Sequence, residues 1–220
     1  MKEVVMADNG SSFQLIETIL WEENRYFLLG LHMDRLRSSA RTLSLSLDEA
    51  QVRNELDKIA ASFAPDKEYR VRLLLAPNGG LKISHSPLPP PPTYPVKAVL
   101  ATKNTEKDDP LLRHKTTNRS LYDTELGKAR TLGFFDVIFT NTDGEVTEGA
   151  ITNIIVNKNG LFLTPPISSG VLPGVYRKYL MDSGKIPLKT AILYKEDILG
   201  ADHVFLINSV RRMMPAEITP

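Results

Sequence analysis

The stretch SPLPPPPTYP, from Ser86 to Pro95, constrains the architecture more than any other segment of the chain. Each proline fixes φ and removes a backbone donor, so these residues can form neither regular helix nor a central strand. Regular structure must therefore be organised on either side. Upstream, Phe13–Leu20 (FQLIETIL) and Tyr26–Leu29 are β-prone runs separated by Glu22-Glu23-Asn24, a hairpin pattern. In LHMDRLRSSARTL, Met33, Leu36, Ala40 and Leu43 recur at helical spacing. A second helix is expected over Leu47–Ser62, with Asp48 as N-cap and Val52, Leu56 and Ile59 on one face. Tyr69–Leu75 and Leu81–Ser84 flank the turn Pro77-Asn78-Gly79-Gly80.

Downstream, Val96–Ala101 reads as a strand, and the polar run Lys103–Asp109 is the candidate boundary between two lobes. The expected division is an N-terminal lobe of residues 1–102, a linker of 103–110 and a larger C-terminal lobe of 111–220. That second part opens with a helix over Asn118–Leu132, ended by Gly133. Strands are expected at Val137–Thr140, Ala150–Val156 and Leu161–Leu163, with the hairpin dipeptides Asp143-Gly144 and Asn159-Gly160 between them. A short helix comes next over Val175–Met181, stopped at Ser183-Gly184, and then a strand over Val204–Ile207. The class is α+β, without internal repeats.

Composition removes several functions. Basic and acidic residues number 27 and 26, so no whole-molecule field favours nucleic acid or an anionic membrane. With no cysteine, disulfides, thiolate metal sites and a cysteine nucleophile are excluded. His32, His85, His114 and His203 show no metal-ligand spacing, so no metal is expected. MKEVVMADNGSS lacks the apolar run of a signal peptide, and no stretch could span a bilayer, which makes the cytoplasm the default address. There is neither a GxGxxG nor a Walker loop.

Lys115 in HKTTNR and Glu148 in EVTEGAITNI remain as candidates. A lysine can condense with an aldehyde cofactor, and a buried carboxylate can hold a pyridine nitrogen protonated; together they are the minimum for pyridoxal phosphate chemistry. Most lysines and glutamates are solvated surface charges, so the surrounding segments decide. Taken in order, FQLIETI, LHMDRLRSSARTL, HKTTNRSLYD, GEVTEGAITNI, LTPPISSGVLPGVYR and VFLINSVRRMMP resemble the class IV aminotransferases, the fold-type IV pyridoxal phosphate enzymes, over nearly the whole chain. Within that group the likeness is greatest to the aminodeoxychorismate lyases.

The resemblance implies roles. Lys115 looks like the Schiff-base lysine and the base at the substrate carbon, and Glu148 like the partner of the pyridine nitrogen of pyridoxal 5'-phosphate. Arg35 is similar to the arginine that clamps the cofactor phosphate. Gly174, Val175 and Tyr176 resemble the phosphate turn at a helix start, and Ser209 and Val210 the other phosphate-side loop. Arg70 and Arg72 share a strand face and, like Arg211-Arg212, could meet a substrate carboxylate or lie on solvated surface. Arg119, Tyr122 and Asn153 fall in matched segments without an assigned role.

Two departures bear on function. Relatives usually carry an extra strand and turn before the FQLIETI segment, where this chain has Asn9-Gly10-Ser11-Ser12, a shortened form resembling the lyase-like half fused behind aminodeoxychorismate synthase component I. Ser120 stands where branched-chain aminotransferases carry a tyrosine, which counts against that subgroup. The activity implied is 4-amino-4-deoxychorismate lyase, giving 4-aminobenzoate and pyruvate. The alternative is an aminotransferase for D-amino acids or branched-chain amino acids. A homodimer and an aminodeoxychorismate synthase partner are further implications of the resemblance.

Overall fold

The computed structural model describes residues 13–220, and the Asn9–Ser12 departure lies outside them. The chain divides into two compact units. One runs up to Pro89 and takes back His114–Asn118; the other holds Pro90–Arg113 and Arg119–Pro220.

The first unit contains β1 (Leu15–Glu22), β2 (Arg25–Tyr26), α1 (Leu29–Thr42), α2 (Glu49–Ala60), β3 (Tyr69–Leu75) and β4 (Leu81–Pro87). Its sheet has the order β2-β1-β3-β4 and is antiparallel throughout. Alternation along β1 puts Leu15, Glu17 and Ile19 on one face, opposite Leu75, Leu73 and Val71 of β3. Met33, Leu36 and Ala40 of α1 and Val52 and Leu56 of α2 pack with Leu15 and those β3 residues as a core. Each such large side chain contributes about 1.5–3 kcal/mol on burial. Asp48 caps α2 as expected, its side chain accepting from Gln51 N at 3.0 Å. Of the proline run, only Ser86 and Pro87 are in a strand, at the end of β4 on the sheet edge.

The second unit contains β5 (Val96–Leu100), a 3-10 turn (Pro110–Arg113), α3 (Ser120–Thr131), β6 (Asp136–Thr140), β7 (Val146–Gly149), β8 (Asn153–Lys158), β9 (Leu161–Thr164), a second 3-10 turn (Ile167–Ser169), α4 (Val175–Ser183), β10 (Leu188–Thr190), α5 (Lys195–Leu199), β11 (His203–Asn208) and β12 (Arg212–Thr219). Its strands form one mixed sheet, β10-β9-β8-β11-β12-β5-β6-β7. Central strands bury both faces. Ile154 and Val156 of β8 join a core with Leu206 and Met214, whereas Ile155 packs with Leu180 of α4 and Ile207.

These units differ from the expected 1–102, 103–110 and 111–220 division. Val96–Leu100 pairs in parallel with both β12 and β6, so it belongs to the larger sheet. Residues 114–118 instead join the first unit, where Ile16 N donates to Lys115 O at 2.7 Å and Thr117 N to Gln14 O at 2.9 Å. The expected strand Ala150–Val156 is also corrected: β7 ends at Gly149, β8 starts at Asn153, and a turn separates them. Among the described residues no helix is long and apolar enough to cross a membrane.

Candidate active site

The residues expected in the site fall into two groups, one in each unit. In the first unit, Glu17 stands on the core-facing side of β1 with 2% exposure. A buried carboxylate there requires partners. Arg35 of α1 grips it with Nε at 2.9 Å and Nη2 at 2.7 Å, and His32, one turn earlier, approaches with Nδ1 at 2.6 Å. Burial pushes the Glu17 carboxyl up, but the Arg35 charge and the hydrogen bonds from Arg35 and His32 outweigh it and hold it at about 2. An ionised carboxylate only accepts, so Nδ1 of His32 carries the hydrogen and Nε2 is the bare nitrogen. Burial holds the imidazole below its usual value against the pull of Glu17. Arg35 therefore presents a guanidinium steered and partly neutralised by Glu17.

Lys115 reaches the same unit as part of a short edge segment. Thr116 bridges Leu15 in antiparallel fashion, and Gln14 N donates to Thr117 Oγ1 at 2.9 Å. His114 Nδ1 meets Ser39 Oγ of α1 at 2.9 Å, so 114 and 116 share the helix-facing side with Leu15. Lys115 lies between them, its carbonyl accepting from Ile16 N, and its charge is among the influences that hold the His32 imidazole below its usual value.

In the second unit Glu148 occupies β7 with 6% exposure. Tyr122 OH donates to its Oε1 at 3.3 Å; Asn153 Nδ2 and Leu172 N donate to Oε2 at 3.0 and 3.1 Å. Burial first, then the Glu148 charge, push the Tyr122 phenol far above its usual range, so it remains a donor. Arg177 of α4 is buried, bonding Thr164 Oγ1 at 3.3 Å and Pro165 O at 2.9 Å. Burial lowers its pKa, and the charge of Glu148 works against that. Neighbouring Glu145 has the structural role: Lys107 Nζ lies 3.2 Å from Oε1 and Asn141 Nδ2 2.8 Å from Oε2.

Gly174 is the N-cap of α4, no side chain caps the helix, and Val175 and Tyr176 are its first two residues. A Cβ at 174 would collide with Asn153 Oδ1, so any larger residue has to displace that amide. Tyr176 packs in the cluster that includes Ile207 and Phe205 of β11. That strand leads into the turn carrying Ser209 and Val210, where Asn208 Oδ1 accepts from Val210 N at 3.0 Å and Arg211 N at 2.8 Å. The Val210 amide is thus engaged within its own turn. A buried anionic acceptor and a glycine-capped helix start are what an electron-poor ring nitrogen and a phosphate need, so the residues present fit pyridoxal phosphate.

The Amino-transferase class IV family matches residues 14–218. The chain belongs to the class IV aminotransferase family. A protein of Schizosaccharomyces pombe, provisionally named an aminodeoxychorismate lyase, is 30% identical over 210 residues, covering 90% of this chain and 87% of that protein. A provisionally named branched-chain-amino-acid aminotransferase of Thermotoga maritima is 28% identical over 213 residues, covering 90% and 74%. A solved structure from Mesorhizobium loti, described provisionally as an amino-acid aminotransferase, superposes with a TM-score of 0.87 at 32% identity, covering 94% of this chain and 100% of that one. The fold is that of the fold-type IV members, α+β.

In this member of the class IV aminotransferase family the loop after Glu148 is held from beneath. Asp136, fully buried on β6, accepts from Thr152 Oγ1 at 2.6 Å, from its neighbour Val137 N at 2.8 Å and from Ile151 N at 3.3 Å. Burial pushes its carboxyl up to about 6 despite these bonds. Its folded-state pKa is raised above the usual 3.8, so the folded chain binds the extra proton between those values. This contribution to stability therefore falls as pH rises from about 4 to about 6, by on the order of 3 kcal/mol. Urea melts across that interval should show the decline, and Asp136→Asn should flatten it.

Several participants escaped the sequence reading. Glu17 carried a usable signal: it is an acid on the apolar face of a strand. Tyr122, Asn153 and Arg177 carried none beyond membership of the matched segments, because their partners are distant in sequence. Asn153 and Leu172, for instance, are 19 residues apart.

Proposed function

We propose that this chain is a pyridoxal phosphate-dependent 4-amino-4-deoxychorismate lyase that releases 4-aminobenzoate and pyruvate. The observation carrying the cofactor part is Glu148, a buried carboxylate fed by three neutral donors, Tyr122, Asn153 and the Leu172 amide. The lyase part is supported by the likeness to the S. pombe protein over most of both chains, and by Ser120 in place of the tyrosine of branched-chain aminotransferases.

Pyridoxal phosphate, held by Lys115, Arg35, Glu148, Gly174, Val175, Tyr176, Ser209 and Val210, supplies an electron sink for charge left beside the substrate amine. Lys115 is the base: its unprotonated amine takes the proton from the amine-bearing ring carbon. Glu148, as an anion, keeps a proton on the pyridine nitrogen. Arg35, steered by Glu17, binds the phosphate, as do the backbone amides at the start of α4. The neighbouring carbon–oxygen bond then breaks with its electron pair on oxygen, the ring becomes aromatic, and the enolate that leaves takes up at its methylene carbon a proton equivalent to the one Lys115 removed, giving pyruvate. The same reading carries a homodimer, an aminodeoxychorismate synthase partner and a cytoplasmic address.

A second reading, an aminotransferase, is favoured by the likeness to the M. loti structure and to the T. maritima protein. Both readings share the proton removal and diverge at the next step. The holo chain, given enzymatically generated aminodeoxychorismate, should yield pyruvate and 4-aminobenzoate in equal amounts. Amine transfer from amino acids to a 2-oxo acid, with no pyruvate from aminodeoxychorismate, would move the assignment to the second reading. Failure to retain pyridoxal phosphate would sink both.

A further inference from the structure

Asn153, the first residue of β8, is buried and makes contacts on both sides of its amide. Its Nδ2 donates to Glu148 Oε2 at 3.0 Å and to Leu172 O at 3.1 Å. Leu172 N returns to the same Glu148 oxygen at 3.1 Å, closing a ring of hydrogen bonds two residues ahead of Gly174. On its other side, Asn153 Oδ1 fills the space that a side chain at 174 would need. One amide thus touches the carboxylate assigned to the pyridine nitrogen and the turn assigned to the phosphate. Few side chains could do this. Aspartate has no donor, serine has one, and glutamine is a methylene longer. The base is firm, since Ile155 of the same strand packs against Leu180 of α4.

We propose that Asn153 is a positioning residue that ties Glu148 to the Gly174 turn, so that both ends of a bound cofactor are held at one fixed spacing. The inference rests on the proposed function, in which Glu148 and Gly174 serve the same pyridoxal phosphate. Neither group can then shift without the other. Removing the amide loosens grip on the phosphate and the contact at the ring nitrogen together.

The test uses the full chain as wild type, Asn153→Ala, Asn153→Leu, Gly174→Ala and the Asn153→Ala/Gly174→Ala double variant. Dissociation constants are measured for pyridoxal phosphate and for pyridoxal, which lacks the phosphate. The nitrogen-15 shift of ring-labelled pyridoxal phosphate reads protonation at the pyridine nitrogen. Melting temperatures of the cofactor-free chains complete the set. Asn153→Ala should weaken pyridoxal phosphate binding roughly tenfold, weaken pyridoxal less, and move the nitrogen shift toward the unprotonated value. Gly174→Ala should produce both changes by displacing the amide, and adding Asn153→Ala should cost little more, because the new methyl then has room. Asn153→Leu keeps the volume, removes the donor without adding charge, and gives the same readings if the alanine variant does not fold.

A lowered melting temperature with the nitrogen shift unchanged makes Asn153 a purely structural residue and overturns the proposal. A change at only one end of the cofactor overturns it equally. Wild-type chain that does not hold pyridoxal phosphate overturns the reading of the site instead. The melting cycle, which needs no cofactor, still decides the Asn153–Gly174 coupling: additive losses refute it.

Discussion

Replacing Lys115 by alanine is expected to leave a folded chain that carries no covalently trapped cofactor and turns over on the order of 10²–10⁴-fold more slowly. The fold should survive, because Lys115 is tied to β1 through its backbone carbonyl, which accepts from Ile16 N at 2.7 Å and is kept by alanine. Chemistry should not survive, because no hydrocarbon can take the proton. Borohydride reduction of the holo protein and subsequent peptide mapping should place the pyridoxyl group on Lys115 and nowhere else. A label on another lysine, or one that persists in the variant, would refute the assignment.

The second large effect concerns Glu17. Glu17→Ala leaves the His32 Nδ1 hydrogen and the Arg35 guanidinium without their buried acceptor, and removing one partner of a buried ion pair costs about 3–5 kcal/mol. The wild-type contribution also has a pH window. The folded-state pKa is depressed to about 2 from the usual 4.5, so the stabilisation is complete above 4.5 and fades as pH falls through 2. Its size is on the order of 3 kcal/mol. Asp136 acts with the opposite sign at higher pH, so the two can be separated by melting Glu17→Gln and Asp136→Asn across both ranges. If Glu17→Gln leaves the acid limb of the stability curve unchanged, the ion pair does not hold α1 to β1. Arg35 would then lose its aim for another reason.

Much of the first unit was legible because its signals are local. The Asp48 cap and the helical recurrence of Met33, Leu36 and Ala40 act within one or two turns. The second unit hid more. No strand is expected from the sequence at Glu148, yet a four-residue strand forms there, and the turn at 150–152 that ends it is held by Asp136 from the adjoining strand and by the lack of a side chain at Gly149. No strand is expected from the sequence after Ile207, yet β12 forms there with Pro215 inside it. The proline is tolerated because the parallel ladder to β5 begins only at Ala216, opposite Val96. In the site, Lys115 and Glu148 stood out by chemistry. The residues that hold them did not, because bonds such as Gln14 N to Thr117 Oγ1 span 103 positions.

The return of residues 114–118 to the first unit makes Lys115 a reporter of assembly. A cut in the chain between Pro90 and Arg113 separates β1 from the strand that lies against it. The fragment ending there has an open edge at Gln14 and Ile16, and the other fragment bears Lys115 on a segment with no sheet to join. Complementation would proceed by strand addition, the mode by which extended peptides dock on open sheet edges. The lysine would come into register with β1 only when that docking is complete. A chain organised in this way places Lys115 against β1 only when residues 114–118 and the first sheet have come together.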